Sequence, residues 1–264
     1  MDLQLTGKTA LVTGSTAGIG FAIAKLLAKE GANVVLTGRS QERIDEAIGK
    51  IQAEAGGGTL TGVVVDFGKV DMIDQLLKQV PDVDILVNNV GIFGPKDFEH
   101  ITDEEWLRFF DVNVLSGVRL SRVYFPKMLA KDWGRILFIS SESALQIPQE
   151  MIHYGTTKTA QLAVARGLAE LTKGTNVTVN SVLPGPTKSE GVGTFVKELA
   201  DKQGISEDEM EDQFFREMRP TSLIHRFATT DEVAQMVAFL CSPLSSATNG
   251  AAIRVDGGVV KAAV

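Results

Sequence analysis

The sequence predicts an α/β fold: a single domain in which helices cover both faces of a doubly wound, parallel, seven-stranded sheet. Short runs rich in β-branched residues alternate along the chain with segments whose apolar residues have helical spacing. The runs are too apolar to alternate cleanly, as expected of strands that are buried on both faces. Because no Pro/Gly/Ser-rich linker and no repeat divides the 264 residues, we expect one domain over 1–264.

Seven strands are predicted in chain order, over 9–13, 33–37, 60–66, 84–88, 135–140, 177–183 and 252–255. The apolar spacing predicts helices over 19–30 and 41–54, and Gly31 suits the end of the first helix. Capping-box sequences at 102–105 and 229–232 predict helix starts before Trp106 and before Val233. Strands and helices therefore alternate through most of the chain.

The segment at about 190–220 breaks this alternation. It carries nine acidic and four basic residues, and so contributes −5 of the net charge of −7. Apolar residues such as Leu199, Met210 and Phe214 lie at helical spacings within it. We interpret it as an amphipathic helical pair that forms a lid over a substrate pocket. The alternative is a solvated surface excursion with an ordinary core stripe.

Charge and cysteine content argue against several classes of protein. The net negative charge, with no run of Lys or Arg, argues against a nucleic-acid partner. The first residues lack a basic segment followed by an apolar core, and no stretch of about 18 apolar residues occurs, so we expect a cytoplasmic protein without membrane contact. Cys241 is the only cysteine, which excludes an internal disulfide and a cysteine-based zinc cluster.

A glycine-rich turn connects the first predicted strand to the first predicted helix. Glycine permits a tight turn and a close approach of the backbone to a pyrophosphate, and the helix N-terminus supplies N–H donors. Strand, turn and helix in this order predict a dinucleotide site. Its expected cofactor-binding residues are Gly14, Ser15, Thr16, Gly18, Ile19 and Gly20.

The residues after the second strand favour NADP(H) over NAD(H). An acidic side chain at this position would bind the ribose 2′-hydroxyl of NAD, but the chain has Gly38 and Arg39 there. The guanidinium of Arg39 could pair with a 2′-phosphate. The alternative is that Arg39 is a solvated loop cation.

Ser141, Tyr154 and Lys158 form the candidate catalytic group. Tyr154 and Lys158 lie four residues apart and share a helix face, so the ammonium can favour ionisation of the phenol. Ser141 follows the fifth strand directly. All three side chains can therefore meet at the carboxyl edge of the sheet, where such sheets bind ligands.

In these motifs the chain resembles the short-chain dehydrogenase/reductase family over essentially its whole length, as a member similar to 3-oxoacyl-ACP reductases. Further matching motifs lie at 88–91, 184–185 and 255–258 and at Asn113. The resemblance implies a Rossmann-like seven-stranded sheet, hydride transfer at a nicotinamide and a homotetramer.

The resemblance also implies residue roles. Tyr154 would be the general acid/base, and Lys158 would lower its pKa and bind the nicotinamide ribose. Ser141 would hold the substrate oxygen, and Asn113 would support a water path to the lysine. Cofactor contacts are implied for Asp66 and Phe67 at the adenine, for Asn89 and Gly91 beside the adenosine and pyrophosphate, for Pro184 and Gly185, and for Thr187 near the carboxamide.

The function that the sequence favours is therefore an NADP(H)-dependent oxidoreductase that interconverts a ketone and a secondary alcohol. The acidic lid argues against a substrate on an acidic carrier protein and favours a small-molecule carbonyl compound. An NAD-dependent polyol or hydroxyacid dehydrogenase is one alternative, and a non-catalytic dinucleotide sensor is another. Whether His153 lines the substrate pocket stays open.

Overall fold

The computed structural model describes residues 2–54 and 57–263, apart from the side chain of Phe195. Its centre is a sheet of seven strands, all parallel, in the order β3-β2-β1-β4-β5-β6-β7. The strands are β1 Thr9–Val12, β2 Asn33–Gly38, β3 Leu60–Val64, β4 Ile85–Asn88, β5 Gly134–Ile139, β6 Val177–Pro184 and β7 Ala252–Val255.

The α-helices of the described residues are α1 Gly18–Lys29, α2 Gln41–Glu54, α3 Val70–Gln79, α4 Asp103–Phe110, α5 Ser116–Ala130, α6 Ile152–Glu170, α7 Glu190–Gln203, α8 Glu207–Glu217 and α9 Thr230–Cys241. Both predicted capping boxes form, at Thr102 with Glu105 and at Thr229 with Glu232. The predicted boundaries agree with the structure to within about two residues.

Two hydrophobic cores lie on opposite faces of the sheet, because successive strand residues point to opposite sides. Val12 belongs to the core beneath α1, α2 and α9, whereas Leu11 belongs to the core beneath α3, α5 and α6. Every residue of β4, β5 and β6 is buried. The predicted α/β class, with helices on both faces of one parallel sheet, is confirmed.

The chain changes direction across the sheet at β1. β1 pairs with β2 on one side and with β4 on the other, with Leu11 opposite both Val35 and Leu86. The connections that follow β1 and β4 leave the sheet on opposite faces, and a crevice opens between them at the carboxyl ends of the strands. This crevice positions the candidate site.

The predicted helical pair after β6 is α7 and α8. Gly204, with φ of 68°, lies between the two helices in the left-handed region that favours glycine. Apolar side chains of both helices, including Val196, Met210 and Phe215, pack together with Phe227 in a third, smaller cluster. The pair is therefore packed on an apolar stripe of its own.

Candidate active site

A cleft of about 710 Å³ lies along the carboxyl edge of the sheet. Residues from the glycine turn, the loop after β4, β5, α6, β6 and α7–α8 line it. The predicted site residues that it brings together are Gly18, Ile19, Gly20, Arg39, Asn89, Gly91, Ser141, Tyr154, Lys158, Pro184, Gly185 and Thr187.

The glycine turn requires its glycines. Gly14 and Gly18 have φ of 63° and 58°, in the left-handed region. A Cβ on Gly20 would lie 2.3 Å from the carbonyl oxygen of Gly14, so this position has no room for a side chain. Ala17 precedes α1 and supplies no side-chain cap, which leaves N–H donors of the first helical turn directed at the cleft. This arrangement fits a pyrophosphate.

Ser15 and Thr16 support the turn from behind. The hydroxyl of Ser15 is fully buried, donates to the carbonyl of Val12 at 2.8 Å and accepts from the amide of Thr37 at 2.9 Å. A Cβ on Gly38 would lie 2.5 Å from Cγ2 of Thr16, so Thr16 packs on the end of β2. Contacts of Gly14, Ser15 and Thr16 with the cofactor stay predictions, because these residues are outside the cleft lining.

Two arginines lie at the end of the cleft next to β2. Arg39 lines the cleft as predicted, and Arg43 of α2 lines it as well. Nη2 of Arg43 donates to both carboxylate oxygens of Glu190, at 2.8 and 3.0 Å. Arg43 was missed by the sequence reasoning; it lies four residues after Arg39, in the first turn of α2.

The candidate catalytic side chains meet where β5 and α6 face the cleft. Ser141 follows β5, and Tyr154 and Lys158 lie on the first turns of α6. Nζ of Lys158 is 5.6 Å from the centroid of the Tyr154 ring and donates to the carbonyl of Ile139 at 2.9 Å. The edge of the Tyr154 ring meets Phe93, at 6.3 Å between centroids.

Asn113 lies in a π-helical segment, Asp111–Leu115, between α4 and α5. Its Oδ1 accepts from the amide of Ile92 at 2.8 Å, and its Nδ2 donates to the carbonyl of Ile92 and to the hydroxyl of Thr157, each at 3.0 Å. A Cβ on Gly91 would lie 3.3 Å from Nζ of Lys158 and 3.5 Å from Oδ1 of Asn113. The amide thus holds the loop after β4 beside the lysine.

Burial raises the pKa of the Tyr154 phenol above its ordinary value and Glu142 raises it further, whereas Ser141 and Arg219 act in the opposite direction. The lowering of this pKa by Lys158 stays a prediction; in the structure the ammonium donates to the carbonyl of Ile139. Burial also lowers the pKa of Lys158, to about 8. The phenol is only half-buried, so water in the cleft moderates its shift.

A buried ion pair that sequence reasoning missed lies next to Ser141. Nε of Arg219, just after α8, donates to Oε1 of Glu142 at 3.0 Å. Oε2 of the same carboxylate accepts from the hydroxyl of Ser141 at 2.5 Å. The two charged residues are 77 positions apart in the chain, so no local pattern could have revealed the pair.

Three residues that were considered for the site lie elsewhere. Asp66 accepts from the amide of Gly68 at 3.0 Å, and Phe67 is buried in the core beneath α3, α5 and α6. Their predicted contact with the adenine stays a prediction. His153 is buried against Phe109 of α4, at 4.0 Å between ring centroids, and burial lowers its pKa. Its side chain therefore faces α4 and is outside the cleft lining.

Within the described ranges, 2–54 and 57–263, no group of three or more His, Cys, Asp or Glu side chains is placed to hold a metal ion. No helix there combines the length and the apolar character needed to cross a membrane.

Comparisons with known proteins agree with this geometry. The family model described as "short chain dehydrogenase" matches residues 8–200. The chain is 50% identical over 261 residues to the "Uncharacterized oxidoreductase YvaG" of Bacillus subtilis (strain 168), covering 99% of both chains. It is 34% identical over 263 residues to the 3-oxoacyl-[acyl-carrier-protein] reductase FabG of Aquifex aeolicus (strain VF5), covering 98% of this chain and 100% of that one.

Among solved structures, the chain is similar to the L-sorbose reductase of Gluconobacter frateurii complexed with NADPH and L-sorbose. The TM-score is 0.93 at 32% identity, with 99% of this chain and 100% of the reductase covered.

Proposed function

Because the chain belongs to the short-chain dehydrogenase family, we propose that it is an NADP(H)-dependent oxidoreductase that interconverts a ketone and a secondary alcohol, with Tyr154 as general acid/base. The observation that carries this proposal is the meeting of Ser141, Tyr154 and Lys158 in one cleft with the glycine turn. A phenol, a hydroxyl and an ammonium in this arrangement can handle the proton that accompanies hydride transfer to a carbonyl carbon.

The residues around the glycine turn fit a dinucleotide. Gly18, Ile19 and Gly20 would hold the pyrophosphate at the N-terminus of α1. Asn89 and Gly91 would line the adenosine side, and Pro184, Gly185 and Thr187 the nicotinamide side. When bound, the cofactor would supply or accept the hydride.

In the reducing direction, Tyr154 would donate its phenolic proton to the carbonyl oxygen as the hydride reaches the carbonyl carbon. The phenol is protonated at neutral pH and therefore has the proton to give. Ser141 would hold the substrate oxygen by a hydrogen bond, and Asn113 would support the loop beside Lys158. Lys158, with a pKa of about 8, is mostly protonated at pH 7 and would stabilise the phenolate until water returns the proton.

The preference for NADP(H) is supported by Arg39, which lines the cleft at the end of β2 where NAD-specific sites place an acid. The similar L-sorbose reductase was solved in complex with NADPH. That reductase also bound a small sugar, which supports a small-molecule ketone as the substrate class of this chain.

We also propose that α7 and α8 act as the substrate lid. Val192 and Thr194 of α7, Phe214 of α8, and Met218 and Arg219 beyond it line the same cleft as Tyr154. The homotetramer and the cytoplasmic location implied by the resemblance stay predictions. Light scattering on the purified protein would test the first.

The experiment that tests the function follows the loss of NADPH absorbance with a panel of small ketones. The chain has two tyrosines, which provides a matched pair of variants. Tyr154→Phe should abolish turnover, whereas Tyr124→Phe should retain it, because the Tyr124 hydroxyl donates to the carbonyl of Val80 outside the cleft. Equal turnover in wild type and Tyr154→Phe would contradict the role of the phenol. If no ketone is reduced with NADPH and no alcohol is oxidised with NADP⁺, the proposed function is wrong.

A further inference from the structure

We propose that Glu142 and Arg219 are positioning residues: the pair orients Ser141 and ties the end of α8 to the catalytic segment. This inference rests on the proposed function, since it assigns the pair a part in the same reaction. To the group of Ser141, Tyr154 and Lys158 it adds two residues, which connect the lid with the catalytic serine.

Both oxygens of the Glu142 carboxylate are occupied. Oε2 accepts from the hydroxyl of Ser141 at 2.5 Å, from the amide of Ser143 at 2.6 Å and from the hydroxyl of Ser143 at 2.9 Å. Oε1 accepts from Nε of Arg219 at 3.0 Å. The single O–H proton of Ser141 is therefore directed to the carboxylate, and the arginine fixes the carboxylate. To donate to a ketone oxygen, the hydroxyl hydrogen has to turn away from Glu142.

Arg219 joins three parts of the molecule. Its backbone amide donates to the carbonyl of Phe214 in α8 at 3.0 Å, so the residue continues from the lid helix. Besides Glu142, its guanidinium reaches Glu150, in the turn before α6, with Nη1 at 3.4 Å from Oε1. A displacement of α8 would thus pull on the segments that carry Ser141 and Tyr154.

The pair is buried: Glu142 is 4% exposed and Arg219 is 9% exposed. A buried ion of such a pair is poorly tolerated once its partner is removed, whereas removing both charges is tolerated far better. This asymmetry makes the coupling measurable. Either single substitution should damage the site more than the double substitution does.

The charges also act on Tyr154 in opposite directions. Glu142 raises the pKa of the phenol and Arg219 lowers it. The charged groups that face this part of the cleft are Lys158 on the phenol's own helix, Glu142 after β5, Glu150 before α6 and Arg219 after α8. Substitution of Glu142 should therefore lower the pKa of Tyr154, and substitution of Arg219 should raise it.

The kinetic test compares Glu142→Gln, Arg219→Met and the double variant in NADPH-dependent ketone reduction, as a function of pH. Each single variant should lose about tenfold to a hundredfold in kcat, as expected for a mispositioned catalytic group. The double variant should recover part of the loss that Arg219→Met shows. The pH profile of kcat/KM should have a first alkaline step from Lys158 and a second one, at higher pH, from the phenol. Because reduction needs a protonated phenol, the limb set by the phenol should move to lower pH in Glu142→Gln and to higher pH in Arg219→Met.

Additive losses, or limbs that move in the same direction, would overturn the proposed pair. Arg219→Lys covers the case in which Arg219→Met does not fold, because it keeps the cation. A single ammonium cannot reproduce the bonds to both carboxylates, so this variant should show a smaller loss of the same kind.

Hydrogen exchange of the protein without ligands tests the tie to the lid independently of turnover. Glu142→Gln and Arg219→Met should each speed amide exchange in α7–α8 by about tenfold, as local opening becomes easier. Arg166→Gln, which breaks the exposed pair with Glu170 on α6, is the control and should leave lid exchange unchanged. Unchanged lid exchange in an active Glu142→Gln enzyme would refute the tie. Faster lid exchange in the two variants, together with a wild type that reduces no ketone, would refute the proposed function only.

Discussion

At the scale of single residues, the glycine turn depends on positions where a side chain cannot fit. Gly20 is the clearest, because a Cβ there would overlap Gly14 and also lie 2.5 Å from Nδ2 of Asn89. Gly49, in the middle of α2, is its opposite: a Cβ there would meet nothing within 4 Å. Alanine at position 20 therefore tests a steric clash, whereas alanine at position 49 tests helix propensity.

We expect Gly20→Ala to destabilise the protein by about 1–3 kcal/mol, as overpacking against backbone does, and to weaken NADPH binding. Gly49→Ala should stabilise it by about 0.5–1 kcal/mol, because alanine favours a helix interior. Chemical denaturation and the quenching of NADPH fluorescence measure both effects. A Gly20→Ala variant as stable as wild type and with wild-type affinity would contradict the proposed close approach.

Arg39 decides the choice of dinucleotide if the proposed 2′-phosphate contact exists. Arg39→Ala should weaken NADPH binding about tenfold or more, the equivalent of about 1.5–3 kcal/mol for a charged hydrogen bond, and leave NADH binding unchanged. Titration calorimetry with both dinucleotides measures this difference. Arg122→Ala, on the exposed side of α5, is the matched control. Equal losses for NADPH and NADH would show that Arg39 does not read the phosphate.

At the scale of elements, helix ends carry the most local information. Thr229 accepts from the amide of Glu232 at 3.1 Å, and Glu232 accepts in return from the amide of Thr229 at 2.7 Å. Arg226 adds two bonds to the same carboxylate, and these contacts lower the pKa of Glu232 to about 2. The start of α9 is thus fixed by residues no more than six positions apart in the chain.

Thr229→Ala should therefore cost about 1 kcal/mol of stability through loss of the N-cap. Thr230→Ala, one position later and inside the helix, should change stability by less than about 0.5 kcal/mol. The midpoints of urea unfolding give both values. A larger loss of stability in Thr230→Ala than in Thr229→Ala would show that Thr229 is not the N-cap of α9.

Local signals explain why the elements and part of the site could be predicted. The capping boxes, the glycine turn and the spacing of Tyr154 and Lys158 each span a few residues, so the sequence displays them directly. The contacts that were missed are non-local. Arg219 meets Glu142 only because the chain returns to the cleft after β6, and the direction of His153 depends on how α4 packs against α6.

At the scale of the whole molecule, the acidic composition links stability to pH. Several exposed or half-buried carboxyl groups have a lowered pKa because backbone amides, polar side chains or basic side chains bind their charged forms: Glu46, Glu104, Glu105, Asp132, Glu209 and Glu232. A carboxyl group whose pKa is lower in the folded than in the unfolded state stabilises the fold above its unfolded pKa. That contribution is lost as the pH falls through the folded value.

We therefore expect the melting temperature to fall slightly as the pH drops below about 6.5, where the unfolded chain protonates His153 more readily than the folded protein does, and to fall further below about pH 4.3, the ordinary pKa of glutamate. Each exposed group contributes little by itself, so the fall should be gradual. Circular dichroism melts across this range measure it. The melting temperature of Glu232→Gln should fall less on acidification than that of the wild type. A melting temperature that rises on acidification would contradict the stabilising role of these carboxylates.

The strand order also has a consequence for biosynthesis. Chains tend to fold from the N-terminus as they are made, and β1 to β4 are complete at Asn88, before any of Ser141, Tyr154 and Lys158 has been synthesised. A ribosome-bound chain at that stage can form the glycine turn, but it exposes the bare edge of β4 until β5 emerges and pairs with it. Such an edge can pair with other chains, so we expect the nascent chain to be most prone to aggregation in this interval. The glycine turn and the end of β2, where we propose that the dinucleotide binds, are therefore synthesised before the three candidate catalytic residues.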